Sequence, residues 1–365
     1  GSFVRFIVLC LCLLAINVHA VNVSDLFRVS VAVDDQSEES RNLGIQWAFQ
    51  QLLIKVSGYQ DSLTNPTLIA ASKNAERYIQ GFSYQKDSVD GQVYLQAWFS
   101  KALVVPLLKR AQASIWGKNR PLLLNWLAIE PATEVIPETG IIFKSDVNSA
   151  DSHGVAGRGE RLLISEQVPD WQTRFSRAFS ERGLPILWPM ADLEDQTNLP
   201  LDQLWWLFPE AISQASLRYQ VDAVLAGRLS QSVAGLWQYE GLLLQDEQSI
   251  SILTEGASPL IALTLVATKV GRHFADQFAI KSDPMNGRGG IRVLVKKVND
   301  FTDYSQVLAY FQSISGVRQV EVAQVDKDNL QLYLALEGDW SKVQRIIRLD
   351  NKLSILQEKE FEWAH

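Results

Sequence analysis

Leu122-Leu123-Leu124-Asn125-Trp126-Leu127-Ala128-Ile129 is an almost unbroken apolar run, with Asn125 its one polar residue. A strand with one wet face alternates apolar and polar residues, whereas a run without alternation suits a strand covered on both faces. The stretch therefore predicts the middle of a layered sheet. Downstream, 131–159 is largely polar and rich in Gly, Ser and Asp, which predicts a long mobile loop. Helical spacing follows over 171–182 and stops at Gly183, and 184–188 reads as a strand. A helix over 210–219 leads into a strand over 223–229. Two antiparallel strands, 236–245 and 249–253, precede a long amphipathic helix over 259–278. Strand and helix alternate first and strands then run together, so residues 120–280 are expected to form a mixed-sheet α/β domain.

Upstream, 21–116 reads as a small α+β sandwich. Phe27 to Val33 has the period of two of a half-buried strand. Asp35 and Glu38 have capping-box spacing, and Ile45, Ala48, Phe49, Leu52, Leu53 and Val56 then form one helix face, closed by Gly58. Asn65-Pro66 has the form of an N-cap followed by an N1 proline. Strands over 78–86 and 92–99 meet at Asp90-Gly91, a hairpin signal, and a last helix over 101–113 carries Pro106. At the other end, 281–290 is a Gly-rich linker. Beyond it, 291–365 has the βαββαβ order of a ferredoxin-like domain, with strands at 291–298, 317–325, 330–336 and 353–356 and helices at 303–313 and 340–348. The expected whole is a multidomain α+β and α/β chain of three units.

The first twenty residues stand apart. Gly1-Ser2 is read as a cloning scar, Arg5 as a short positive region, and Phe6 to Ile16 as an apolar run of about eleven residues, shorter than the ~20 needed to span a bilayer. Val18-His19-Ala20 offers small residues for a signal peptidase, so 1–20 is expected to be a signal peptide. Cys10 and Cys12 are the only cysteines and lie inside it, so a chain starting at Val21 has no disulfide and no thiolate metal site. The net charge of −7 without a polybasic run argues against nucleic acid, and no later stretch is apolar enough to span a membrane.

No catalytic constellation emerges. His153, His273 and His365 are far apart in sequence, and His273 reads as a helix-surface or partly buried residue. Asp146, Asn148 and Asp151 lack the Gly and terminal Glu of a calcium loop. There is no Gly-x-Ser-x-Gly elbow, and Ser57-Gly58 is explained by a helix end. The Gly154–Gly159 and Gly287–Gly290 stretches lack the strand-turn-helix setting of a phosphate loop. Glu130, Asp192 and Glu194 are the acids best placed to serve a hydrolase. The remaining signal is aromatic: the chain has eleven Trp, and Trp205-Trp206-Leu207-Phe208-Pro209 is the strongest local candidate for a partner surface. Neighbouring residues on a helix point in well-separated directions, so one of the pair is free to face outward.

Several strings carry a family resemblance: Arg41 through Val56-Ser57-Gly58, Asn74 to Ile79, Arg120 to Ala128, Arg182 to Pro185, and Tyr219 to Leu229. In this order they resemble a proteobacterial exported family known as domain of unknown function 2066, which implies a Gram-negative envelope protein and supplies no catalytic residue. In architecture, the first unit looks like the N-terminal domain of the flagellar T protein of the H ring. The second is similar to the N-terminal domain of TolB and to outer-membrane activators of cell-wall synthases. These are binding and assembly modules.

Together these readings predict a non-enzymatic periplasmic protein, without a cofactor, that contacts another envelope protein through Trp205 and Trp206 or the 131–159 loop. A hydrolase of cell-wall glycan or peptide and a small-ligand binder with a pocket between the last two domains are the alternatives.

Overall fold

The computed structural model describes residues 25–88, 91–130, 161–165, 169–282 and 290–364. The signal segment, the 131–159 loop, His153, His365, Asp90 and most of the 281–290 linker lie outside these.

In the first unit, β1 (Arg28–Val33) leads to α1 (Glu38–Ser57). The cap is not the Asp35–Glu38 box expected from spacing. Ser37 is the N-cap and its hydroxyl accepts from Ser40 N, while Asp35 accepts from Ser37 N one step earlier. Both acceptors are short polar side chains, and the register of the first turn decides which one caps. Gly58 closes the helix in the left-handed region, at φ 82°, with its N–H on Ile54 O. Asn65 caps α2 (Pro66–Ser72), accepting from Thr67 N and Leu68 N, with Pro66 at the first helical position. The hairpin β2 (Ile79–Lys86) and β3 (Val93–Phe99) follows, then α3 (Lys101–Arg110). The sheet order is β1-β3-β2, antiparallel throughout. Phe49, Leu52, Leu95 and Leu108 lie in the core between this sheet and its helices.

A two-residue strand, β4 (Ser114–Ile115), leaves this unit, and β5 (Leu123–Glu130) opens the next. The apolar run 122–129 is buried as expected from Leu123 onward. Leu123, Leu127 and Ile129 enter one core, while Leu124, Trp126 and Ala128 enter another on the opposite face. Around β5 stand β6 (Leu162–Ile164), α4 (Pro169–Ser180), β7 (Ile186–Leu187), and three short helices, α5 (Leu193–Asn198), α6 (Leu201–Trp205) and α7 (Pro209–Ser216). The unit ends with β8 (Ala223–Gln231), β9 (Trp237–Gln245), β10 (Gln248–Gly256) and α8 (Pro259–Phe278). The sheet is mixed, in the order β10-β9-β8-β5-β6, with β7 also on β5. The strand expected over 184–188 shortens to β7 because Pro185 and Pro189 bracket it without N–H donors. Pro185 still contributes its carbonyl, which accepts from Leu123 N.

After β11 (Ile280–Lys281) come β12 (Gly290–Lys296), α9 (Phe301–Ser313), β13 (Val317–Asp326), β14 (Asn329–Leu336), α10 (Trp340–Asp350), β15 (Leu353–Gln357) and β16 (Glu360–Trp363). The βαββαβ order forms, and a fifth strand adds to it. β16 returns between β15 and β12, parallel to β12, so the sheet order is β13-β14-β12-β16-β15. Burial explains the exchange. β15 buries only Leu353, whereas β16 buries Phe361 and Trp363, and the more apolar strand takes the inner position.

Several contacts hold the units together. β4 pairs with β11, so the ends of the first two units form one ribbon. Ile280 of that ribbon packs against the last unit, where a Cβ on Gly316 would stand 2.2 Å from its Cδ1 and one on Gly338 would stand 2.6 Å from its Cγ2. Finally, the fully buried Arg120 donates to Lys55 O, Trp116 O, Gly117 O and Arg182 O at 2.7 to 3.2 Å, with its guanidinium 3.7 Å from the Trp116 ring. The carbonyls of Lys55 and Arg182 lie at the C-terminal ends of α1 and α4, where helix dipoles favour a cation.

Candidate functional site

The Trp205-Trp206 pair sits where α6 ends. Leu204 and Trp205 face the core on the outer side of β5 and β8, and Trp205 is 5% exposed. Its carbonyl accepts from Arg228 Nη1 at 2.9 Å, and Arg161 lies 4.1 Å from its ring centroid. Trp206 is the C-cap and is 59% exposed. Leu207 then takes φ 54°, which turns the chain sharply before Pro209 starts α7 and leaves Phe208 51% exposed. Arg228, bonded to Glu240 at 2.6 Å, lies 5.5 Å from the Trp206 ring. The two tryptophans thus take different roles, one anchoring the helix and one facing solvent. Leu193 and Leu217, at the start of α5 and the end of α7, are also exposed, at 79% and 67%. Phe208 lies within the 205–209 string that the sequence pointed to, whereas Leu193 and Leu217 carried no signal there. The break at Leu207 that exposes Phe208 follows from how α6 and α7 pack on the sheet.

The acids considered for a hydrolase are held by arginines. Arg218 binds both carboxylate oxygens of Asp192 at 2.8 and 2.9 Å and lies 3.1 Å from Asp195 and 3.5 Å from Glu194. Asp192 also caps α5 through Asp195 N, and these bonds, Arg218 first, hold its carboxyl down at about 2. A general acid needs the opposite shift. Glu130 lies 3.9 Å from Arg161. Carboxyls pushed upward by burial do occur, at Glu181, Asp222 and Asp350, but on separate elements with structural partners. Asp222 accepts from Leu122 N, and Asp350 accepts from Tyr310 and Asn119.

His273 lies on α8, partly buried, beside Gln245 and Gln277, and burial lowers its pKa. Among the described residues no group of three or more His, Cys, Asp or Glu is placed to hold a metal ion, and no helix is long and apolar enough to cross a membrane. The candidate calcium loop around Asp146 and the Gly154–Gly159 stretch lie outside the described residues.

A family model, a domain of unknown function (DUF8605), matches residues 20–117, the span of the first unit. It is a different family from the 2066 family that the sequence strings resemble, and it does not correspond to the named architectures. Neither the curated proteins nor the solved structures gave a match.

Proposed function

We propose that this chain is a non-enzymatic binding protein of the cell envelope that takes a protein partner at the surface formed by Trp206 and Phe208. The observation that carries this reading is the pairing of a buried, bonded Trp205 with two large aromatics held in solvent on either side of the turn at Leu207. Rigid aromatic side chains gain much on burial at an interface and lose little conformational entropy, which is why they recur at binding hot spots. The signal-like segment 1–20 supports export to the periplasm. The strings that resemble family 2066, with the looser likeness to the H-ring protein, TolB and the synthase activators, support an assembly role over a catalytic one. The Arg218 hold on Asp192 and Glu194 weighs against the hydrolase alternative.

A photo-crosslinking amino acid placed at position 206 in exported protein tests this, with the exposed Lys327 as the control position. A discrete adduct from 206, absent at 327 and lost with Phe208→Ala, is the expected result. An identical set of abundant bystanders from both positions would overturn the placement. Fractionation gives a separate check on export, with a mature N-terminus at Val21 expected.

A further inference from the structure

Between the first unit and the last lies a cavity of about 520 Å³, within the range of small-molecule sites. Its walls come from the start of β1, from β2 and β3, from the first turn of α3, from the connector at Gly117-Lys118 and from the end of α9. Three lining side chains, Arg28, Lys101 and Lys118, are cationic, and Asp25, 3.9 Å from Arg28, is the single lining carboxylate. This excess of positive charge stands against a net charge of −7 for the whole chain. Low-dielectric walls focus such a field into the cleft.

The supporting structure adds to it. Lys101 opens α3, so the positive end of that helix lies at this wall. Trp98 packs flat across Gly81, where a Cβ would stand 2.6 Å from the indole, and Arg28 lies 5.6 Å from the ring centroid. Ser315 lines the opposite unit's wall, where the neighbouring Ser313 hydroxyl already donates to Tyr310 O at 2.7 Å. Three cations and one aromatic wall in a half-open cleft suit an anion with a small organic body.

We propose that this inter-unit cleft binds a small organic anion, a carboxylate or phosphate ester, with Arg28, Lys101 and Lys118 meeting its charge. The site is separate from the Trp206 surface and stands or falls independently of the partner-binding reading. Because the ligand bridges the first and last units, it also stabilises their docking.

The test is isothermal titration of the full chain with citrate, with glucose 6-phosphate and with uncharged glucose, at low and at high salt. Saturable binding of an anionic probe, absent for glucose and weakened by salt, is expected. The Lys101→Glu/Lys118→Gln variant should weaken that binding about ten- to hundredfold, the size of lost charge-assisted contacts, while its circular dichroism stays native. Both lysines are exposed, so the variant is expected to fold. The two anionic probes separate a carboxylate from a phosphate preference. Heat from neither, or equal binding by the double variant, overturns the proposal.

Discussion

Arg120 shows how one residue can fix the relation of two units. Its guanidinium is fully buried, and its hydrogen bonds go to backbone carbonyls, those of Lys55 and Arg182 from different units. Burial favours the neutral form of such a group, and the carbonyls with their two helix ends keep the charge tolerable. Arg120→Met should strand these carbonyls and cost ~3–5 kcal/mol, read as a lower urea midpoint. Arg120→Lys should recover only part of this, because an ammonium lacks the planar fork that reaches several acceptors at once. Asp350 gives the opposite lesson. Burial raises its pKa from 3.8 to about 6, against hydrogen bonds from Tyr310 and Asn119 that favour the charged form. Between these two values the folded state holds a proton that the unfolded chain has released, so stability falls as pH rises through that window. Asp350→Asn keeps an acceptor for both donors and removes the charge. It should raise stability at pH 7 by ~1–3 kcal/mol and flatten the slope between pH 4 and 6, measured by denaturant melts across pH. A stability loss at pH 7 would mean that Asp350 is needed as an anion.

The short helices carry the clearest element-scale contrast. Trp205→Ala should cost ~3–5 kcal/mol, since it empties a core site under α6, while Trp206→Ala should stay within about 0.5 kcal/mol. Equal costs for the two would show that the turn at Leu207 is misplaced. That one of the pair faces outward was legible from helix geometry, but which one was not, because tertiary packing against Leu124 and Val224 decides it. Similar reasoning separates what the sequence showed elsewhere. β5 was readable from its unbroken apolar run, and α1 and α8 from long helical periodicity, because both patterns encode burial directly. Asn65 and Gly58 were readable because their backbone roles suit few residue types. β4 and β11 have two residues each, too few for any period, and their pairing joins positions 115 and 280. β16 has an alternating Glu-Phe-Glu-Trp pattern, yet its place inside β15 depends on the relative burial of two strands. The anion cleft was hidden for the same reason, since Arg28, Lys101, Lys118 and Ser315 share no local pattern.

At the scale of the whole molecule, the cores divide unevenly. The first unit has its own core, whereas one continuous cluster runs from Leu127 and Phe274 through Ile280 to Phe311, Leu332 and Phe361. The middle and last units therefore share apolar interior, with Ile280 as the side chain that crosses between them against Gly316 and Gly338. A further tie crosses the same seam, Lys342 Nζ donating to Ala279 O at 2.7 Å, while Lys109 of the first unit meets Glu337 of the last at 2.6 Å. A shared core predicts shared unfolding, because exposing either unit uncovers surface of the other. Ile280→Ala should cost ~2–5 kcal/mol, by lost burial and the cavity left behind. Hydrogen exchange reads where that loss falls. Amides of α8 and of β12 and β14 should lose protection together and by similar free energies, while those of α1 and β3 change less. If only the last unit loosened, the continuous cluster would be a contact between two independently stable domains, and the seam would be a hinge.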